Sequence, residues 1–149
     1  GTIENLHVEV TELTGMSNVG GVVGYLQGGA VRKCSVSGLV KGAYREIGGV
    51  VGSVIGGTVE NCTSNCLVLP QENYQGYHKI SSVGGIVGLV TSGTVKNCWS
   101  SATVEGSEQI GGVVGYVKDN SIVQGCYSTG SVTGAKQVGG VVGYSLQST

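Results

Sequence analysis

Cysteine is the residue type in this chain best suited to chemistry, and four of the five cysteines recur in one context. Cys34, Cys62, Cys98 and Cys126 each end a string of the form V-x-[K/N/G]-C. Thiols can pair as disulfides, hold zinc or act as nucleophiles. Zinc requires four ligands converging tetrahedrally, and a column of equivalent repeat positions is linear and does not converge. Equivalent residues on in-register parallel strands point their Cβ atoms the same way, which disfavours a disulfide. Leu6 takes the same place in the opening copy, marking an apolar slot. The expectation is therefore reduced, packed thiols behaving as small hydrophobes, with a zinc site as the sharper alternative. Cys66 aligns with Gly38, Ala102 and Gly130 and reads as another small core residue.

The remaining inventory for catalysis is thin. There are two histidines, His7 and His78, and a single aspartate, Asp119, with no serine and acid placed by the pattern beside either histidine. Glu4 and Glu60 fall in one column and could pair as the carboxylates of a glycosidase, but Lys96 belongs to the same column, and a solvated repeat face explains it equally well. There is no H-E-x-x-H and no aspartate-rich calcium loop. Gly139-Gly140-Val141-Val142-Gly143 looks like a nucleotide loop but precedes no helical pattern. The expectation is no catalytic residue, no metal and no cofactor.

The elements that carry these residues follow from a repeat. The string [VI]-G-G-[VI]-V-G starts at Val19, Ile47, Val83, Ile110 and Val138, with spacings of 28, 36, 27 and 28 residues. A second string follows the first four copies and also opens the chain: G-T-I-E-N-L at Gly1, then its equivalents at Gly29, Gly57, Gly93 and Ser121. After each cysteine, small or apolar residues alternate at period two, as in Cys98, Ser100, Ala102 and Val104. The pattern predicts an all-β fold, a parallel β-solenoid (β-helix) of about five coils with a period of about 28 residues. Three short strands are expected per coil: V-G-G-V-V-G, T-V-x-N and C-x-S-x-x-x-V. Coils stacked at about 4.8 Å would bury what one coil cannot. The residue before the cysteine (Asn5, Lys33, Asn61, Asn97, Gly125) suits a left-handed corner, with Lys33 expected to mark an altered or strained one. The glycine pairs either let neighbouring backbone approach or thin the interior, and the sequence leaves both open.

Composition limits the partners. With 40% hydrophobic and 11% charged residues the chain should fold, and its 29 glycines lack the Gly-X-Y period of collagen. A net charge of −1 with scattered Lys and Arg offers no basic stripe for nucleic acid or an anionic membrane. No apolar run approaches membrane-spanning length, so no membrane insertion is expected, and no leader-like segment opens the chain. The start at Gly1, inside a repeat, leads us to expect that residues 1–149 are a single solenoid domain excerpted from a longer protein.

Two places are candidates for binding. The repeat is broken by an insertion over residues 69–82, which holds the only proline, Pro70, with Tyr74, Tyr77, His78 and Lys79. Aromatic rings on a loop carried by a rigid scaffold could stack on a sugar or anchor a protein, although the insertion could equally be a tolerated surface loop. The second candidate is the column after the cysteine, His7, Ser35, Thr63, Trp99 and Tyr127, which places Trp99 and Tyr127 side by side on adjacent coils. That pair could form a carbohydrate platform or cover a patch against a neighbouring domain.

The G-G-V-V-G core at Gly111–Gly115, with Thr94-Val95-Lys96-Asn97-Cys98-Trp99-Ser100 and Cys126-Tyr127-Ser128-Thr129-Gly130, resembles the GLUG repeat of bacterial surface proteins. The resemblance covers nearly the whole chain. It implies a non-enzymatic structural or adhesive module of a secreted or cell-surface bacterial protein, hence an extracellular location, with flanking domains of the same protein and a host protein or glycan as partners. The repeat also occurs in non-catalytic regions of immunoglobulin A peptidases. The alternative function it implies is an accessory, substrate-positioning domain of such a metallopeptidase, and a carbohydrate-binding module is a further reading. The departures are Lys33, Leu6 and the insertion around Tyr74. A truncated stack has unpaired strand edges, so capping by flanking domains and end-to-end association of the chain are also expected.

Overall fold

A computed structural model describes residues 1–71 and 79–147, and among them every regular element is a β-strand. Valine-rich segments bounded by glycine and asparagine form strands because branched side chains pack well on a pleated surface. Each segment pairs in parallel with its equivalent one repeat away, giving five coils and three sheets that run the length of the stack.

The narrow face holds Thr2–Glu4, Ala30–Arg32, Thr58–Glu60, Thr94–Lys96 and Ile122–Gln124, one strand per coil. The third face holds Val23–Gln27, Val51–Ile55, Val87–Thr91, Val114–Lys118 and Val142–Leu146. Between them lies a broad face. In coils 1 and 2 it is one long strand each, His7–Val19 and Ser35–Gly48, whereas later coils break it into segments such as Thr63–Pro70 with Ser81–Gly84. The pairing is strictly in register along the columns: Ile3↔Val31↔Val59↔Val95↔Val123 on the narrow face, for example.

Register turns each repeat position into a stack of like side chains. Val31, Val59 and Val95 are fully buried, as are Ile47, Val83 and Ile110 one face away. Each such side chain contributes about 1.5–3 kcal/mol relative to exposure. The interior is one continuous apolar column along the axis.

Three columns of left-handed residues turn the coil. Asn5, Lys33, Asn61, Asn97 and Gly125 all have φ between 51° and 64°, as their column predicts. Lys33, at 51°, keeps the common geometry, so the corner is not altered and the lysine simply bears the cost of a conformation unfavourable to a residue with a long side chain. A second column, Asn18, Glu46, Ser82, Gln109 and Gln137 (φ 54–61°), turns the chain from the broad to the third face. The third column includes Gly28, Gly56 and Ser92.

The V-G-G-V-V-G string is a corner rather than a strand. Its first valine or isoleucine and first glycine end the broad-face strand, and its last two residues begin the third-face strand, as at Gly48 and Val51. The structure also decides the role of the glycine pairs. A Cβ on Gly49, Gly85 or Gly112 would run into the glycine carbonyl of the next coil and into the hydroxyl of Ser64, Ser100 or Ser128. The pairs are there for close backbone approach.

Candidate functional site

Strand alternation decides what the broad face displays. In Thr63–Pro70, Ser64, Cys66 and Val68 are buried while Asn65 and Leu67 are exposed, so Thr63, Asn65 and Leu67 point outward. The next coils place Trp99 in register with Thr63, and Tyr127 with Trp99. The Trp99 and Tyr127 rings lie 5.9 Å apart between centroids, tilted by 44°. Tyr127 is 57% exposed, whereas Trp99 is half-buried. Beside the pair, the Ser101 hydroxyl donates to Asn65 Oδ1 at 3.1 Å. The result is an aromatic step flanked by hydroxyl and amide groups, a surface able to take the apolar face of a ring and hydrogen-bond its edge. At the far end of the same column, His7 Nδ1 and Ser35 Oγ lie 2.6 Å apart, and His7 Nε2 is 3.2 Å from Glu9 Oε1.

Of the insertion residues, Tyr74, Tyr77 and His78 lie outside the described residues, and Lys79 is exposed. The roots of the insertion are well held. Gln71 N–H donates to the Gly42 carbonyl of coil 2 at 2.8 Å, Ser107 N–H of coil 4 donates to the Ile80 carbonyl at 2.8 Å, and Ile80 is buried. These roots sit on the broad face, on the order of 20 Å along the strand from Thr63, so they are not adjacent to the aromatic step.

All five thiols are free, and four of them are buried. Cys34, Cys62, Cys98 and Cys126 each donate to the carbonyl two residues back, at 3.2–3.4 Å. A one-sided donor satisfied by backbone is how a small hydrophobe with a polar hydrogen packs. The sulfurs also influence one another. Cys98 is pushed well above the ordinary thiol range by the neighbouring Cys126 and Cys62 sulfurs and by burial. The same contact lowers Cys126 to about 7. Burial raises Cys34 and Cys66. Among the described residues no three His, Cys, Asp or Glu converge on a metal position.

The narrow face separates the two glutamates weighed as a carboxylate pair. Arg32 lies between Glu4 and Glu60 in the column, its Nε 2.7 Å from Glu60 Oε1, and Lys96 Nζ is 3.3 Å from Glu60 Oε2. Glu60 is thus clamped by two cations across three coils. A second aromatic pair was not anticipated from the sequence: Tyr116 and Tyr144 on the third face, 5.2 Å apart edge to face, with Lys118 Nζ 5.7 Å from the Tyr116 ring centre. Its signal was the recurrence of V-G-Y at Tyr25, Tyr116 and Tyr144.

A family model described as the GLUG motif matches residues 15–41, 43–65 and 106–133, together just over half of the chain. Each matched segment begins on the broad face, and the described residues between the second and third segments form strands that pair in register with theirs. No curated protein matches the chain, and no solved structure does.

Proposed function

The chain belongs to the GLUG-repeat family, and from that premise we propose that it serves as a non-enzymatic, rigid adhesive module of a secreted or cell-surface bacterial protein. The observation that carries the adhesive reading is the Trp99 and Tyr127 step on the broad face, beside the Ser101 and Asn65 side chains. A half-buried Trp99 beside an exposed Tyr127, with hydroxyl and amide groups next to them, is suited to a glycan, and the stack beneath holds the rings at a fixed spacing without an ordering cost at binding. The clamped roots of the insertion support a second display position at Lys79. The two ends of the stack face flanking domains in this reading.

A glycan array probed with the chain tests it. Binding to at least one glycan class is expected, with roughly tenfold loss on Trp99→Ala or Tyr127→Ala, about 1.4 kcal/mol per ring. Binding indifferent to both substitutions, or silence across the array, would overturn the adhesive assignment of this surface.

A further inference from the structure

Lys118 is a cation without a counter-ion. Its Nζ lies 5.7 Å from the centre of the Tyr116 ring, and among the described residues no carboxylate comes within ion-pair distance of it. The ring belongs to an outward column of the third face, Leu89↔Tyr116↔Tyr144, each side chain half-buried beside the buried Val90 and Val117. Two residues along, Thr91 is in register with Lys118 on one side and Ile55 on the other, and its Oγ1 is buried with no hydrogen-bond partner. A buried hydroxyl without a partner is uncommon enough to need a cause. Of its two column neighbours, only the lysine has a stem long and flexible enough to swing aside. Leu89, Thr91, Tyr116 and Lys118 all lie in coils 3 and 4, with a coil on either side of each.

We infer that this patch binds a sugar ring bearing a carboxylate, and that Lys118 selects for the charge. The site lies on a different face from the Trp99 and Tyr127 step, and neither needs the other. A pyranose lays its C–H face on an aromatic ring, and Tyr116 and Tyr144, 5.2 Å apart edge to face, offer one. Lys118 already holds the Tyr116 ring, so a neutral sugar must displace the ammonium and give nothing back. A carboxylate on the edge of the sugar takes the displaced ammonium as a charge-assisted pair. The lysine that turns outward also uncovers Thr91 Oγ1, which then meets a sugar hydroxyl. Neutral and acidic rings share one shape, so the discrimination between them rests on Lys118.

Two carboxylates of the protein lie in range, and the exchange strands neither. Burial raises Glu46, while Arg45 and then Lys118 pull it back, so the Lys118 charge already reaches that carboxylate. Glu46 keeps Arg45, with Nε 3.4 Å from Oε1, when the lysine turns to a ligand. Asp119 is exposed to water. Burial, then Tyr144 and Asp119, raise Tyr116, so its phenol stays protonated and able to donate to the carboxylate or hydroxyls of the sugar.

Isothermal titration with trigalacturonate and with its methyl ester, the same rings without the charge, tests the site. It is run on the unmodified chain and on a Trp99→Ala background that lacks the broad-face step. The acid is expected to bind roughly tenfold more tightly than the ester in both. Lys118→Gln should bring the two ligands to equal affinity, by weakening the acid and strengthening the ester, with far-UV circular dichroism unchanged. Tyr116→Ala should weaken both. Equal affinity of the unmodified chain for acid and ester, no binding of the acid, a preference that survives Lys118→Gln, or affinities untouched by Tyr116→Ala would each overturn the site. A preference present in the unmodified chain and absent on the Trp99→Ala background would move acid recognition to the broad face and overturn it equally. Because the site is read on the Trp99→Ala background and the broad-face step on the array, the two proposals fail separately.

Discussion

At the scale of single residues, the thiol column makes a prediction about reactivity. Cys126 is the one cysteine with partial exposure, and the neighbouring Cys98 thiol favours its anion, lowering it to about 7. A group lowered from the ordinary thiol value is ionised over the interval between the two values, where an ordinary thiol is not. Alkylation of the folded protein should therefore modify Cys126 first, with a rate rising through a midpoint near pH 7, followed by mass spectrometry. Cys98→Ala removes that neighbour and should move the midpoint up, toward the ordinary thiol value of 9.0. A midpoint unmoved by the substitution would contradict the role of Cys98. Lys33 makes a second prediction. It holds φ 51° in a column otherwise filled by asparagine or glycine, so Lys33→Asn should stabilise the protein by about 0.5–1 kcal/mol, read as a higher urea midpoint at constant slope.

At the scale of elements, the glycine pairs are where coils approach most closely. Gly85→Ala would drive a Cβ into the Gly112 carbonyl and the Ser100 side chain, and neither the backbone nor a buried serine can yield. A loss above about 3 kcal/mol is expected in thermal or urea unfolding. Gly140→Ala, the same substitution in the last coil, should cost close to nothing, which isolates the coil-to-coil contact as the cause. These glycines also show what was legible in the sequence. Spacing alone gave the five coils and aligned the columns, because register makes identical positions neighbours. The corner at V-G-G-V-V-G looks like a strand in the sequence because its valines do belong to strands, but to two different faces. The left-handed residue that turns the chain there is Glu46, Ser82 or Gln109, types that seldom announce a turn; only Asn18 in coil 1 carries the usual sign.

For the whole molecule, stability should behave as a sum over coils and their contacts. Deleting residues 121–149 removes coil 5 and leaves coil 4 as the new end, so a folded four-coil protein with a lower Tm and a smaller urea slope is expected. Collapse of all β signal on that deletion would show the stack to be a single cooperative unit instead. The candidate binding surface was legible to the extent that it lay in the repeat. Trp99 and Tyr127 were placed as neighbours by the period, and they are. The Tyr116 and Tyr144 pair obeys the same arithmetic at another position and went unread, because the tyrosines follow a corner whose direction the sequence does not reveal.

The clamped insertion has a consequence of its own. Gln71 and Ile80 are hydrogen-bonded to coils 2 and 4, so the chain leaves and re-enters the broad face without disturbing the register on either side. Coil 2 crosses the same point with Ala43 and Tyr44, and coil 4 with Gly106 and Ser107. The position is a socket, repeated in coils 2 and 4. A foreign peptide grafted between Gly42 and Arg45, or between Glu105 and Glu108, would be held at both stems, making the stack a ruler on which displayed segments sit at multiples of about 4.8 Å.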